Sequence, residues 1–520
     1  MAPSVEERVQ VLLTAAEAFP VLERAFLEAQ SEITAGFRIF DLRTSLHSDA
    51  ARAIGRTWFD LLLHTLRRGV SVRLVLSDFD PIARPQLHRG SWRSVRMFVA
   101  AAELAGPKAR LEIVPAMHSA ISGPIPRAMF WPVVRSRLMR ALAWVSEQPD
   151  GGRIALLRDL PGIRALLTKP DQMPLRASAL PPPMLFPATH HQKLAVFDRK
   201  RLYIGGLDLD DRRFDTPDHD RPGHETWHDL QLMVQGPVVA DALAHLENFL
   251  DAVAGRSDPV AQAPDRDGLR FVRTLSRAVP AAVMRVGPAP AIAEIAQAHH
   301  ALAAKAERLV YLETQYFRDR QLAQALADAG RKTPGLDLIL ILPAAPDDVA
   351  FHGADGVDAR LGEFLQARAL RILKRGFGHR LFVGGAAQPR RTSQRGREQL
   401  RGAPLVYIHA KLSVFDETAA IVSSANLNGR SLRWDTEAGL VLSQGADVAM
   451  LRRRAMAHWL PEGAPDRFFN METAVQSWAG LALANARRPP EQRQGFILPY
   501  DRKAAEKFGQ AFPLLPDDML

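Results

Sequence analysis

Two stretches are apolar at nearly every position, Gly69-Val-Ser-Val-Arg-Leu-Val-Leu and Gly335-Leu-Asp-Leu-Ile-Leu-Ile-Leu. Runs of this length and β-branched content predict strands buried on both faces of a sheet. Each follows a helical pattern that leads into another strand, over residues 24–34 then 37–42 in the first half and 293–306 then 309–313 in the second. Later in each half a short strand carries His-x-Lys, a turn of small residues and an acidic residue follow, and a strand over 229–236 or 437–445 ends in Gln-Gly before a helix. The order of signals therefore repeats, and His191 and His409 stand 218 positions apart. Duplicated units of alternating strands and helices predict an α/β protein of two mixed sheets, each flanked by helices and related by a pseudo-twofold axis. The expected domains are 1–255 and 268–520, with a linker over 256–267.

Two segments fit neither repeat. An insertion near 118–183 holds Phe130-Trp131-Pro132 and then an amphipathic pattern, with Val134, Leu138, Ala141, Leu142 and Val145 on one face and Arg135, Arg137 and Arg140 around it. Such a face packs on its own domain more often than on lipid, and that is the expectation, with a lipid interface as the alternative. The stretch 388–401, rich in Arg, Gln, Ser and Gly, reads as a mobile basic loop beside the second motif.

The motifs are His191-Gln-Lys193-Leu-Ala-Val-Phe-Asp198, followed by Gly205-Gly206, and His409-Ala-Lys411-Leu-Ser-Val-Phe-Asp416, followed by Ser423-Ser424. In an extended chain His and Lys two residues apart point to the same side and converge on one group. One such pattern in a long chain carries little weight; two in the same order carry much more. Composition sharpens this, because only ten of the 67 basic residues are lysine, yet both motifs keep it. A compact ammonium suits a point among phosphate oxygens better than a planar guanidinium. The chemistry that uses such a set is attack on a phosphodiester: one neutral imidazole attacks phosphorus, one imidazolium protonates the leaving oxygen, and Lys193 and Lys411 neutralise the anion. Each ring needs an acidic partner to fix tautomer and basicity. Asp229 and Glu437, at matching places in the repeat, are the candidates. Ser424 and Asn426 are expected to donate to phosphate oxygens, Gly205, Gly206 and Asp208 to leave open space for attack, and Asp198 and Asp416 to serve the motif structurally rather than in proton transfer. No metal or cofactor is expected.

These motifs resemble the phospholipase D superfamily, whose signature is a duplicated His-x-Lys-x4-Asp with a small-residue pair after it. His190-His-Gln-Lys, Gly205-Gly-Leu-Asp-Leu, Phe214-Asp-Thr-Pro-Asp-His, Trp227-His-Asp, Glu313-Thr-Gln-Tyr-Phe, Tyr407-Ile-His-Ala-Lys and Ser424-Ala-Asn-Leu-Asn-Gly-Arg-Ser are similar to eukaryotic-type members in particular, over about residues 35–460. The resemblance implies two phospholipase D-like domains sharing one active site. It also implies cleavage of the distal phosphodiester of a phospholipid such as phosphatidylcholine through a phosphohistidine, with water or a small alcohol as acceptor. His191 is then the nucleophile and His409 the general acid. A single chain suffices for a complete site. One departure is Asp208 where the second repeat has Asn426; lipid-cleaving members also show Asp there.

Charge and composition bound the partners. The formal charge of +10 suits an anionic surface, whether lipid headgroups or, less well given the sparse aromatic pattern, nucleic acid. The absence of cysteine excludes disulfides and thiolate chemistry. The first thirty residues carry Glu6, Glu7, Glu17, Glu23 and Glu28 and do not read as a signal peptide, and no stretch has the roughly 18 apolar residues of a span. Membrane contact is therefore expected to be peripheral, and the compartment stays open. Four rivals stand beside this reading. His224-Glu-Thr-Trp-His228 is a literal zinc-peptidase pattern, but Pro222-Gly223 before it and a strand after it leave little room for the required helix. A nuclease would use the same chemistry, as would a phosphatidyltransferase of the cardiolipin synthase type. An inactive membrane-binding relative would have lost a His or Lys, and none is lost.

Overall fold

A computed structural model of the chain describes residues 8–520 apart from 171, 179, 280–282 and 514. The first sheet contains β1 (Val9–Leu13), β2 (Glu32–Phe37), β3 (Ser71–Ser77), β4 (Leu111–Ala116), β5 (Leu194–Phe197), β6 (Arg201–Gly205) and β7 (Leu230–Gln235), in the order β1-β7-β6-β5-β2-β3-β4. The second contains β8 (Leu269–Arg277), β9 (Ala289–Ala293), β10 (Leu309–Thr314), β11 (Asp337–Ile341), β12 (Leu381–Ala386), β15 (Lys411–Phe415), β16 (Ala419–Ser423), β17 (Glu437–Leu442) and β18 (Ile497–Pro499), in the order β18-β12-β11-β10-β15-β16-β17-β8-β9. A small ribbon of β13 (Gln399–Leu400) and β14 (Ala403–Pro404) stands apart. The repeat is explicit: β7-β6-β5-β2-β3-β4 and β17-β16-β15-β10-β11-β12 have the same order. In both, the first three strands in sequence run parallel and the motif strand joins antiparallel.

Helices cover the outer face of each sheet, while β6 and β7 approach β16 and β17 across the middle. Alternation along these strands sends Leu194, Val196, Leu202 and Ile204 into the same core as Leu412, Val414, Ala420 and Val422. Residues 256–267 contain no helix or strand and carry the chain from one sheet to the other. On that account we propose the division at 255 and 268, with one apolar core shared across it.

Three expectations change. The first strand lies at Glu32–Phe37 rather than 37–42, because the chain turns away at Arg38 and Ile39, which both bond to Asp208. Val9–Leu13 is an edge strand ahead of the helix Thr14–Glu28, so only part of the N-terminal pattern is helical; Glu6 and Glu7 lie outside the described residues. The stretch 388–401 is tied down: Arg391 pairs with Glu491, Arg397 with Glu363, and Gln388 donates to the carbonyl of Arg221. The insertion helix Pro124–Ser146 buries Leu138, Ala141, Leu142 and Val145 against Leu157, Leu160 and Ile163, so the face singled out in the sequence is core.

The last residue of each motif locks the repeat. Asp198 accepts from the backbone N–H groups of Gln30, Ser31 and Glu32, and Asp416 from those of Glu307, Arg308 and Leu309. Each carboxylate thereby starts the neighbouring strand, β2 or β10. Desolvation raises the Asp198 pKa, but these hydrogen bonds outweigh it and hold the group down at about 2. Removing the buried Asp416 carboxylate leaves three donors to find other partners. Asp416→Ala is expected to lower stability by about 1–3 kcal/mol, read from the urea midpoint; an unchanged midpoint would show the clamp to be dispensable.

Candidate active site

The two motifs meet where the sheets abut, and the backbone brings them there. His190 forms a parallel bridge with Thr436, and His191 N–H donates to the Thr436 carbonyl at 2.8 Å. In the other half His228 bridges Ile408, and His409 N–H donates to the His228 carbonyl at 2.7 Å. Each histidine thus sits beside the residue preceding the other half's acid. The side chains follow: His191 Nδ1 lies 3.0 Å from Glu437 Oε1, and His409 Nδ1 lies 2.6 Å from Asp229 Oδ2. Both pairs are crossed between halves. With Nδ1 engaged by a carboxylate, Nε2 is the nitrogen left for chemistry on each ring.

The histidines lie in extended segments just ahead of β5 and β15 rather than within them. Lys193 Nζ bonds the His191 carbonyl and lies 4.0 Å from Asp208; Lys411 Nζ bonds the His409 carbonyl and lies 2.7 Å from His409 Nδ1. Burial pushes Lys411 down to about 7, with Asp229 opposing, and pushes Lys193 down as well. Burial, reinforced by the lysines, also holds both histidines well below their ordinary value. Burial raises Asp229, and raises Glu437 to about 8 against the pull of Lys193. For Asp208, Lys193 and Arg38 outweigh desolvation and the carboxylate stays low. Burial is the first cause throughout; neighbouring cations add to the depression of the histidines and oppose the rise of Asp229 and Glu437.

Several expectations need correction. Ser424 directs its hydroxyl to Glu437 Oε2 at 2.5 Å, so it orients the acid instead of offering its proton to a phosphate. Gly205 and Gly206 are not open space: a Cβ at Gly206 would collide with the Asp229 carboxylate, and one at Gly205 with Gln231 and the Leu230 carbonyl. Asp208 accepts from Ile39 N–H and Arg38 and is likewise filled. Asp198 and Asp416, which belong to the motif by sequence, bind the starts of β2 and β10 and make no contact with the histidines. Asn426 is buried, and its Oδ1 has no hydrogen-bond partner.

Other residues escaped notice. Trp227 packs on the His409 ring at 4.5 Å between centroids and carries Arg213 on its face at 4.0 Å. Arg38 pairs with Asp208, and Arg430 with Asp435, whose carboxylate also receives Thr189 N–H. Arginine is so common here that no spacing marks these. His224-Glu-Thr-Trp-His228 forms a single 3-10 turn at Gly223–Glu225 and then extends, leaving His224 exposed and His228 buried. That geometry does not form a peptidase site. His219 and His228 are both buried.

Two α/β halves pooling His-Lys pairs at one seam define a class of enzyme. A family model described as "Cardiolipin synthase, PLD-like domain" matches residues 300–459. Phospholipase D alpha 1 of Nicotiana tabacum is 21% identical over 47% of this chain and 44% of its own length. Phospholipase D1 of Schizosaccharomyces pombe is 22% identical over 47% of this chain and 24% of its own. The chain thus spans less than half the length of these curated relatives. The solved phosphatidylserine synthase of Haemophilus influenzae Rd KW20 superposes with a TM-score of 0.51 at 12% identity, covering 92% of this chain and 94% of that one, which shows the shared fold. The family model and the curated relatives support membership of the phospholipase D superfamily.

The tight seat of Gly206 yields a test. Gly206→Ala is expected to push Asp229 away from His409 and lower turnover of a nitrophenyl phosphodiester at least about tenfold, since each removed stabilising contact is worth a few kcal/mol. Circular dichroism should be unchanged. Full activity in that variant would mean the Asp229–His409 contact is not needed.

Proposed function

We propose that the chain transfers a phosphatidyl group, cleaving the distal phosphodiester of a phospholipid and passing the phosphatidyl unit to water or a small alcohol. The crossed pairing of His191 with Glu437 and His409 with Asp229 beside two buried lysines carries this reading. In the first step His191 Nε2 attacks phosphorus, the bond to the headgroup oxygen breaks, and His409 gives that oxygen a proton. In the second, His409 takes a proton from water or alcohol, whose oxygen attacks phosphorus and releases His191. Lys193, Lys411 and Asn426 hold the non-bridging oxygens.

The roles rest on electrostatics and on the family resemblance. A Glu437 held up to about 8 is neutral near pH 7, so it does not stabilise an imidazolium and leaves His191 in the neutral form a nucleophile needs. Asp229 sits 2.6 Å from His409 and also accepts Leu230 N–H, an arrangement that favours a protonated His409 once substrate is bound. With a nitrophenyl leaving group, which needs no proton, His409→Ala should still accumulate phosphohistidine while His191→Ala forms none. Peptide mapping of the trapped label decides it, and a label on His409 reverses the roles.

A second reading, a phosphatidyltransferase that uses another lipid as acceptor, has support from the cardiolipin synthase description of the family model. Mass spectrometry after incubation with mixed phospholipids and ethanol separates the two. Phosphatidic acid and phosphatidylethanol support the first reading, a lipid with two phosphatidyl groups the second, and the absence of any lipid product would overturn both.

The substrate class calls for a lipid-facing surface, and the insertion offers one opposite its buried face. Ile121, Ile125, Met129 and Val133 are exposed, and so are Val283 and Met284 on the segment that bonds Gly123 and Ile125. Residues 118–146 contain Arg127, Arg135, Arg137 and Arg140 and no acid, which suits anionic headgroups. No helix among the described residues is long and apolar enough to cross a membrane. Replacing Met129, Val133 and Met284 with serine should weaken sedimentation with anionic vesicles severalfold and leave turnover of a soluble short-chain diester intact; unchanged sedimentation would remove this surface from the reading.

A further inference from the structure

Behind the candidate site lies a cluster of histidines that the phosphodiester chemistry does not use. His219 and His228 come from the loop after the first motif, and His458 from the helix Gly445–Trp459 of the second half. One ring nitrogen of each lies within 4.8 Å of the other two, and His219 Nε2 is 2.8 Å from His458 Nε2. We propose that these three histidines form a site for one divalent transition ion of the Zn2+ class.

Four observations carry the proposal. The ring nitrogens are close to the spacing an ion needs: with bonds of about 2.0–2.1 Å, tetrahedral nitrogens lie about 3.3 Å apart, a small outward shift for His219 and His458 and an inward one for His228. Two of the rings are backed by carboxylates in the manner of metal-bound imidazoles. Asp215 Oδ2 accepts from His219 Nδ1 at 2.7 Å, and Glu313 Oε2 lies 3.0 Å from His228 Nε2. This leaves His228 Nδ1, which is buried without a hydrogen-bond partner, as the nitrogen available to an ion. An orphaned buried ring nitrogen is costly unless something bonds it.

Charge points the same way. Asp215 and Glu313 are fully buried, and their remaining partners are neutral donors: Thr216 and Trp227 N–H for the first, Tyr311 O–H and Trp459 Nε1–H for the second. Among the described residues the histidines are the only basic groups paired with either carboxylate. Two buried negative charges are balanced by a dication bound to neutral imidazoles, and burial holds His219 and His458 below their ordinary value, in the neutral form that binds metal. Half-buried His458 leaves room for a water as fourth ligand. With imidazole donors and no thiolate, the site selects Zn2+ or its chemical neighbours rather than Mg2+ or Ca2+.

The ion would join the halves at a sensitive place. The His228 carbonyl accepts from His409 and Ala410 N–H, and the next residue is Asp229, the partner of His409. Fixing His228 therefore fixes the acid that positions His409, a consequence that rests on the function proposed above, whereas ion binding itself does not.

The test uses the full chain after chelator treatment and needs no substrate. Titration with Co2+ should give the visible bands of a four- or five-coordinate nitrogen site, saturating at one ion per chain and bleached by Zn2+. Zn2+ should also raise the thermal midpoint. His458→Gln and, more deeply buried, His219→Ala should each weaken binding at least about tenfold and lose the midpoint shift. Asp215→Asn provides a milder variant should His219→Ala fail to fold. Absence of the Co2+ bands, or the same titration in His458→Gln as in the parent, would overturn the site.

Discussion

Everything at the candidate site depends on two short backbone bridges that cross the seam, His190 with Thr436 and His228 with Ile408. Because each bridge ends one residue before a histidine on one strand and one before an acid on the other, it delivers a crossed His–carboxylate pair without further adjustment. The two halves are therefore not two catalytic units side by side. Each supplies an imidazole ring to a partner acid from the other, and neither half alone holds a complete pair. The shared apolar core of β5, β6, β15 and β16 is what keeps the bridges in register, since slipping either sheet by one residue would turn the motif side chains to the opposite face.

The same seam explains the charge state. Lys193 and Lys411 are buried with Asp208, Asp229 and Glu437 close by, and Arg38 closes on Asp208. Burial holds Lys193 and Lys411 below their ordinary value, Lys411 at about 7, and raises Glu437 to about 8, while Arg213 with Asp210 and Arg430 with Asp435 balance among themselves. Under the proposed function, a phosphodiester is the anion that this pocket of buried, depressed lysines receives. Under the proposed mechanism, a bound diester raises the depressed lysines and histidines together and moves His409 towards the acid form that a leaving group needs.

Much of this was legible in the chain. The twin apolar runs at 69–76 and 335–342 became β3 and β11, and the equal order of signals became equal strand order. His191, Lys193, His409 and Lys411 came together, and the acids Asp229 and Glu437 stood beside them. What could not be read was which acid serves which ring, because the answer lies in bridges between residues 246 and 180 positions apart that no local pattern encodes. The small-residue pairs misled for a related reason. Gly206 and Ser424 occupy equivalent places, yet one makes room for Asp229 and the other bonds Glu437, so both serve the acids and neither faces the substrate. A shorter acid needs the closer approach that only glycine permits, and a longer one reaches far enough to be held by a hydroxyl.

That asymmetry bears on how a duplicated fold comes to do asymmetric chemistry. If both halves had kept the same acid and the same small residue, the two imidazoles would have matching basicity, and attack and protonation would compete at each. Here Asp229 with Gly206 makes a short contact to His409 of 2.6 Å, while Glu437 with Ser424 makes a longer one to His191 of 3.0 Å. Burial raises both acids, Glu437 to about 8, and the Glu437 oxygen that accepts from Ser424 is already satisfied. One methylene in the acid and one hydroxyl in the turn are enough to bias which ring stays neutral. Under the proposed mechanism the chemical roles then follow from the side chains that orient the histidines, since the histidines and lysines themselves are the same in both halves.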